Sequence, residues 1–77
     1  MEETPSASEI AGHYSAALDS VNLINQLVAV SSLDDEQKDT VDRNVRHLEI
    51  MVAKTFWTSE DLGPLNASIT AGKAKIA

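Results

Sequence analysis

The feature that most constrains the fold is the spacing of apolar side chains in the first third of the chain. They recur at alternating intervals of four and three residues, and we call them the seam: Ile10, Tyr14, Ala17, Val21, Ile24 and Val28. This spacing aligns them along one side of an α-helix and is typical of a coiled coil or helical bundle. Ser6, followed three residues later by Glu9, has the spacing of a capping box. A first helix is therefore predicted over about residues 8–30.

A second helical pattern follows a polar break at residues 31–36. Within the break, Ser32 and Asp35 have the spacing of a helix start, and acidic residues suit a helix N-terminus. The alternation of four and three then returns at Val41, Val45, Leu48 and Val52. The pattern predicts a second helix over about residues 34–55. Because helices joined by a short loop usually pack antiparallel, we expect an antiparallel helical hairpin.

A short third helix is predicted over about residues 60–71. Pro64 is suited to the first turn of a helix, and Leu62, Leu65 and Ile69 share one face. Gly72 has the position of a C′ glycine that ends the helix. The sequence thus predicts one all-α domain over residues 1–77, with frayed termini at about 1–6 and 73–77.

Chain length and composition limit the ways in which this fold is stabilised. A chain of 77 residues buries only about 60% of the surface that its unfolded form exposes. It has no cysteine, which excludes disulfides and thiolate zinc sites, and two histidines, His13 and His47, are too few for a histidine-only metal site. We therefore expect no metal and no cofactor, and oligomerisation is the remaining common means of stabilisation.

The charge of the chain argues against several classes of partner. The formal net charge is −6, which disfavours direct binding to nucleic acid and to anionic membranes. The most apolar stretch, residues 16–30, is interrupted by four polar residues: Asp19, Asn22, Asn25 and Gln26. This pattern does not predict a membrane-spanning helix. The acidic N-terminal residues do not resemble a signal peptide. We expect a cytoplasmic protein.

Motifs for catalysis are not apparent in the sequence. No serine lies in a Gly-x-Ser-x-Gly elbow, and the three glycines are isolated, so no phosphate-binding loop is formed. The acidic residues fall at predicted helix starts and on predicted exposed faces, and a chain of this size has little room for a substrate pocket. The prediction is that the protein is not an enzyme.

The first predicted helix is unusually poor in charge. From Ile10 to Val30 its only charged residue is Asp19, although a surface helix normally carries charges on its outer side. This helix is therefore predicted to be buried on more than one side, and the second helix can cover only one of them. Other copies of the same chain, packed along the seam into a homo-oligomeric bundle, would supply the second cover. The alternative is a mildly polar, exposed helix of a monomer.

Phe56 and Trp57, two of the three aromatic residues, follow the second helix directly. One interpretation is that they close the end of the hairpin and anchor the third helix. The other is that they anchor a protein partner, since large aromatic residues often dominate binding energy at interfaces. A protein with so few aromatic residues needs them in its core, which favours the first interpretation.

The C-terminal part of the chain carries a resemblance. It contains Asn44-Val45-Arg46-His47-Leu48-Glu49-Ile50-Met51-Val52-Ala53-Lys54, then Trp57-Thr58-Ser59-Glu60-Asp61-Leu62, and later Gly72-Lys73-Ala74. In this pattern of a helix followed by aromatic residues, about 35 C-terminal residues resemble small uncharacterised helical proteins encoded by tailed bacteriophages. The resemblance implies a phage accessory role in the host cytoplasm or the virion. It implies no activity and no functional residues.

These observations predict a non-enzymatic protein–protein interaction or assembly module that associates with itself through the first helix. The alternative is a small acidic inhibitor that binds a basic site on a host enzyme or on a nucleic-acid-binding protein. The low charge of the first helix favours self-association, and the net charge of the chain favours the inhibitor.

Overall fold

This computed structural model describes residues 5–77, which contain three α-helices and no strand. They are α1 (Ala7–Val28), α2 (Asp35–Val52) and α3 (Gly63–Ile76). The all-α prediction is confirmed. Residues 1–4, which belong to the predicted N-terminal tail, lie outside the described residues. None of the three helices is both long enough and apolar enough to cross a membrane.

Capping boxes define the starts of α1 and α2. At α1, the Ser6 hydroxyl accepts from the Glu9 amide at 3.2 Å, and the Glu9 carboxylate accepts from the Ser6 amide at 3.4 Å, as the sequence predicts. At α2, Asp34 and Gln37 make the same reciprocal pair at 2.7 and 3.0 Å. The cap of α2 is therefore Asp34 and not Ser32. Both boxes satisfy amides that the first helical turn leaves without partners.

The third helix differs most from its prediction. It begins at Gly63 with Pro64 in its first turn, and its N-cap residue, Leu62, makes no capping hydrogen bond. The Asp61 carboxylate instead accepts from the Gly63 amide at 2.9 Å. The helix continues through residue 72 to Ile76, so the predicted end at residue 71 is wrong, and most of the predicted C-terminal tail is helical. Gly72 is an interior residue of α3 and not a C′ glycine.

Gly72 is explained by the close approach of α3 to the other two helices. A Cβ atom built at this position would lie 2.6 Å from Val45 Cγ2, and 3.3 Å from both Ile24 Cγ2 and Val41 Cγ1. No glycine among the described residues has a positive φ angle, so backbone conformation does not call for glycine here. The missing side chain allows α3 to pack directly on the buried faces of α1 and α2.

A single apolar core lies between the three helices, and each helix packs against the other two. The core draws its fully or nearly fully buried side chains from all three helices: Ala17, Val21, Ile24, Val41, Val45, Leu48, Met51 and Leu65. α3 packs against α1 as well as α2, so it covers a side of α1 that α2 leaves open.

The seam residues of α1 are mostly buried within one chain. Ile10, Ala17, Val21 and Ile24 are each no more than 6% exposed, and Tyr14 and Val28 are half-buried against the core. The second side of α1 was predicted to be covered by other copies of the chain, and in this fold it is covered by α3. Self-association along the seam stays a prediction, but in this fold it requires α2 or α3 to separate from α1.

Candidate functional site

Four ring-bearing side chains meet beside the loop between α2 and α3. This aromatic cluster consists of His13 and Tyr14 from α1 and Phe56 and Trp57 from the loop. His13 stacks on Phe56 with ring centroids 5.3 Å apart and an interplanar angle of 25°. Trp57 meets Phe56 edge-on at 4.8 Å and Tyr14 edge-on at 6.0 Å. The cluster therefore contains every Phe, Tyr and Trp residue of the chain.

Trp57 has a structural role in this cluster. Its ring packs against the core, and its Nε1–H donates a hydrogen bond of 2.8 Å to the carbonyl oxygen of Met51. That carbonyl lies in the last turn of α2 and also accepts from the Lys54 amide at 3.1 Å, so the indole adds a second hydrogen bond at the end of the helix. The Tyr14 hydroxyl donates to the Asp61 carbonyl oxygen at 2.6 Å, which ties the far end of the loop to α1. Trp57 and Tyr14 together hold the loop in place.

Phe56 is placed differently from its neighbour. Its ring is half-buried, its stacking partner His13 is exposed, and it lines a surface groove. The sequence analysis gave Phe56 and Trp57 the same two alternative roles. The structure separates them: both rings are half-buried, but Trp57 packs against the core whereas Phe56 lines the surface groove.

The groove has a volume of about 380 Å³ and lies between the start of α1 and the loop. We call it the aromatic groove, and it is lined by Pro5, Ala7, Ile10, Phe56, Thr58, Ser59 and Glu60. Most of these side chains are apolar or carry only a hydroxyl group. Ile10 is thus a residue of the groove as well as of the seam. Among residues 5–77, only Glu60 brings a charge into the lining.

Glu60 is fixed within its own loop. Its Oε1 accepts hydrogen bonds from the backbone amide of Thr58 at 3.1 Å and from the Thr58 hydroxyl at 3.4 Å. The two segments that line the groove, residues 5–10 and 56–60, contain Glu9 and Glu60 and no Lys or Arg. The rim of the groove is therefore acidic around an apolar interior.

The two histidines, which were the only candidates for imidazole ligands, have separate partners. His13 stacks on Phe56, whereas His47 Nδ1 lies 2.8 Å from the hydroxyl of Ser20. Within residues 5–77, no group of three or more His, Cys, Asp or Glu side chains is arranged to hold a metal ion. This arrangement offers no ligand set around either histidine.

Sequence reasoning missed two polar contacts between helices and most of the groove. Ser20 and Ser68 are buried, and the Ser68 hydroxyl donates to Asn25 Oδ1 at 2.9 Å. Small polar residues within an apolar helical stripe are a signal of such contacts, because they let two helices approach closely. For the groove no local pattern was available, since its two lining segments are far apart in the sequence.

Comparisons with known proteins add no further constraint on this site. No family model, curated protein or solved structure matches the chain. The role of the aromatic cluster and of its groove therefore rests on their geometry and chemistry.

Proposed function

We propose that the protein is a non-enzymatic protein–protein interaction module that binds its partner at the aromatic cluster and the aromatic groove. The observation that carries this proposal is the half-buried ring of Phe56, which lines a largely apolar surface groove. Large aromatic side chains are enriched in the parts of interfaces that contribute most of the binding energy. Trp57 and Tyr14 hold Phe56 in place before binding, which lowers the entropy cost of association.

The scaffold of this module, in the same proposal, is an antiparallel hairpin of α1 and α2. Two contacts support this orientation. Tyr14, early in α1, meets Trp57 just after α2, and Ser20 meets His47 late in α2. Further along, Ile24 comes close to Val41 and Val45 at the position of Gly72. These contacts support an arrangement in which residue numbers fall along α2 as they rise along α1.

A second candidate function is the assembly of several copies, which the outward side of α1 favours. Between Ile10 and Val28 this helix carries one charge, Asp19, and Leu23 is 37% exposed. A surface helix with so little charge is well suited to burial against another chain. Light scattering tests this candidate, because a monomer has a mass of 8.3 kDa and an assembly has a multiple of it.

The first proposal is tested by affinity purification from a lysate of the source cells with three forms of the protein. These are the wild type, Phe56→Ala, and Ile50→Ala as a matched control. Ile50 is 59% exposed on α2, more than the half-buried Phe56, and it does not line the groove, so its replacement removes an apolar surface side chain elsewhere. Circular dichroism melts establish that all three forms are folded.

The proposal predicts one stoichiometric partner that the wild type and Ile50→Ala retain and that Phe56→Ala loses. Equal recovery by Phe56→Ala, or no partner with the folded wild type, contradicts it. If the partner is a basic enzyme or nucleic-acid-binding protein whose activity falls on binding, the module acts as the inhibitor considered from the sequence.

A further inference from the structure

The size of the aromatic groove limits what part of a partner can enter it. Ligand pockets typically measure about 300–1,000 Å³, and the groove, at about 380 Å³, is near the lower end. That volume is suited to one or two side chains. The groove is therefore suited to the tip of a protruding segment.

The carboxylate of Glu60 is available to such a segment. Its Oε1 atom is held by the two donors of Thr58, and Oε2 has no hydrogen bond or ion pair to any residue from 5 to 77. A carboxylate that is already oriented and partly shielded from water forms strong charge-assisted hydrogen bonds with a cation. Glu60 thus selects a positively charged group.

The remaining lining suits the aliphatic part of a basic side chain. Arg and Lys bury their methylene groups along apolar surface while the charged head stays near water or a carboxylate. Phe56 provides most of that apolar surface, because Ile10 is only 6% exposed, and an aromatic ring also attracts a cation placed over its face. Arg fits best, because its planar guanidinium both stacks on rings and pairs with carboxylates.

Long-range charge points to the same kind of segment. The chain has a net charge of −6, and the segments around the groove contain acidic and no basic residues. Such a field accelerates encounter with a basic partner and repels phosphate groups. It also repels a second copy of this chain, which has the same net charge.

We propose that the aromatic groove binds a basic–apolar segment of a partner protein, with an Arg side chain lying on Phe56 and its guanidinium paired with Glu60. This inference rests on the proposed function and names the chemistry of the partner. It does not require any other part of the partner to be basic.

The test uses the full-length ¹⁵N-labelled protein at low ionic strength and three blocked tripeptides as probes. They are Ac-Leu-Arg-Leu-NH2, the uncharged Ac-Leu-Nle-Leu-NH2 in which norleucine (Nle) replaces Arg, and the acidic Ac-Leu-Glu-Leu-NH2. Chemical shifts of the amides of Ala7, Phe56 and Ser59 report binding at the groove. The Arg peptide is expected to bind about two- to fivefold more tightly than the norleucine peptide, which is the effect of one partly exposed ion pair. The acidic peptide binds most weakly.

Two variants identify the carboxylate. Glu60→Gln keeps an oxygen that accepts from Thr58, so the loop is preserved, and it abolishes the preference for Arg over norleucine. Glu36→Gln makes the same change of charge on α2, and it leaves the preference intact. Phe56→Ala weakens the binding of both peptides at the groove.

Other outcomes overturn the inference. If the Arg and norleucine peptides shift the groove amides equally, or if Glu60→Gln keeps the preference, the groove does not select a cation. The proposed function then survives as an apolar contact, provided that the lysate partner still depends on Phe56. If the groove amides shift with protein concentration alone, a second copy occupies the groove.

Discussion

Replacement of Gly72 by alanine tests the packing of α3 directly. The new Cβ atom would lie 2.6 Å from Val45 Cγ2, whereas carbon atoms in ordinary contact are about 3.5–4.0 Å apart. Val45 is only 2% exposed, and its β-branched side chain has a stiff χ1 angle, so it cannot turn away easily. Ile24 and Val41 close the other sides at 3.3 Å. The extra methyl group must therefore push α3 away from the core.

The expected magnitude is the balance of two effects. Overpacking of a well-packed core costs about 1–3 kcal/mol. Alanine in place of glycine inside a helix gains up to about 1 kcal/mol from backbone propensity. We therefore expect Gly72→Ala to lower the free energy of unfolding by about 1 kcal/mol. The variant is destabilised because the clash costs more than the helix propensity gains.

Gly12→Ala is the matched control. Gly12 also lies inside a helix, but a Cβ atom there would meet nothing within 4 Å. This variant gains the propensity effect without the clash, so it should be more stable than the wild type by up to about 1 kcal/mol. The difference between the two variants isolates the overpacking cost, and 1 kcal/mol shifts Tm by about 4–8 °C in a domain of this size.

Thermal and urea unfolding followed by circular dichroism measure both variants. Gly72→Ala should melt at least about 4 °C below Gly12→Ala. In a Val45→Ala background the clash with Cγ2 is removed, so Gly72→Ala should then cost less, with a coupling of about 0.5–3 kcal/mol between the two sites. Equal stabilisation by both glycine replacements in the wild-type background would refute the packing of α3 described above.

Three further predictions concern the core, the surface and metal binding. Trp57→Ala should lower the free energy of unfolding, measured by urea unfolding, by about 3 kcal/mol. This is the low end of the range for a core aromatic residue, because the ring is half-buried. Ile24→Asp should unfold the protein, because an unpaired buried charge costs several kcal/mol. The control Lys38→Asp, on the exposed side of α2, should change the free energy of unfolding by less than about 0.5 kcal/mol. A folded, wild-type-like Ile24→Asp would contradict the core assignment. Thermal melts with and without a chelator should overlay, and a Tm that falls in chelator would reveal a metal site.

The first two helices could be located from sequence because their signals are local. Spacing along the seam and a capping box placed the start of α1 within one residue of Ala7. The predicted C-terminal ends lie two or three residues beyond the observed ends, Val28 in α1 and Val52 in α2. Neither end is marked by a glycine or proline stop signal. Apolar periodicity alone does not fix where a helix ends.

The third helix and the groove could not be located in this way. A glycine near the end of a helical pattern has the same local signal whether it stops the helix or lets another helix approach. Only the neighbouring Val45 and Ile24 distinguish the two cases for Gly72, and they lie far away in sequence. The groove likewise joins Ile10 to Phe56 and Glu60 through the tertiary fold.

The sparse burial of α3 has a consequence for the lifetime of the folded state. The buried residues of this helix are Leu65, Ser68 and Gly72, two of which have little or no side chain. Segments with few buried apolar contacts open most often, so we expect α3 to detach before α1 and α2 come apart. Each opening exposes Ile24 and Val45 to water until α3 returns. At high concentration, that interval allows two chains to exchange their third helices and become intertwined.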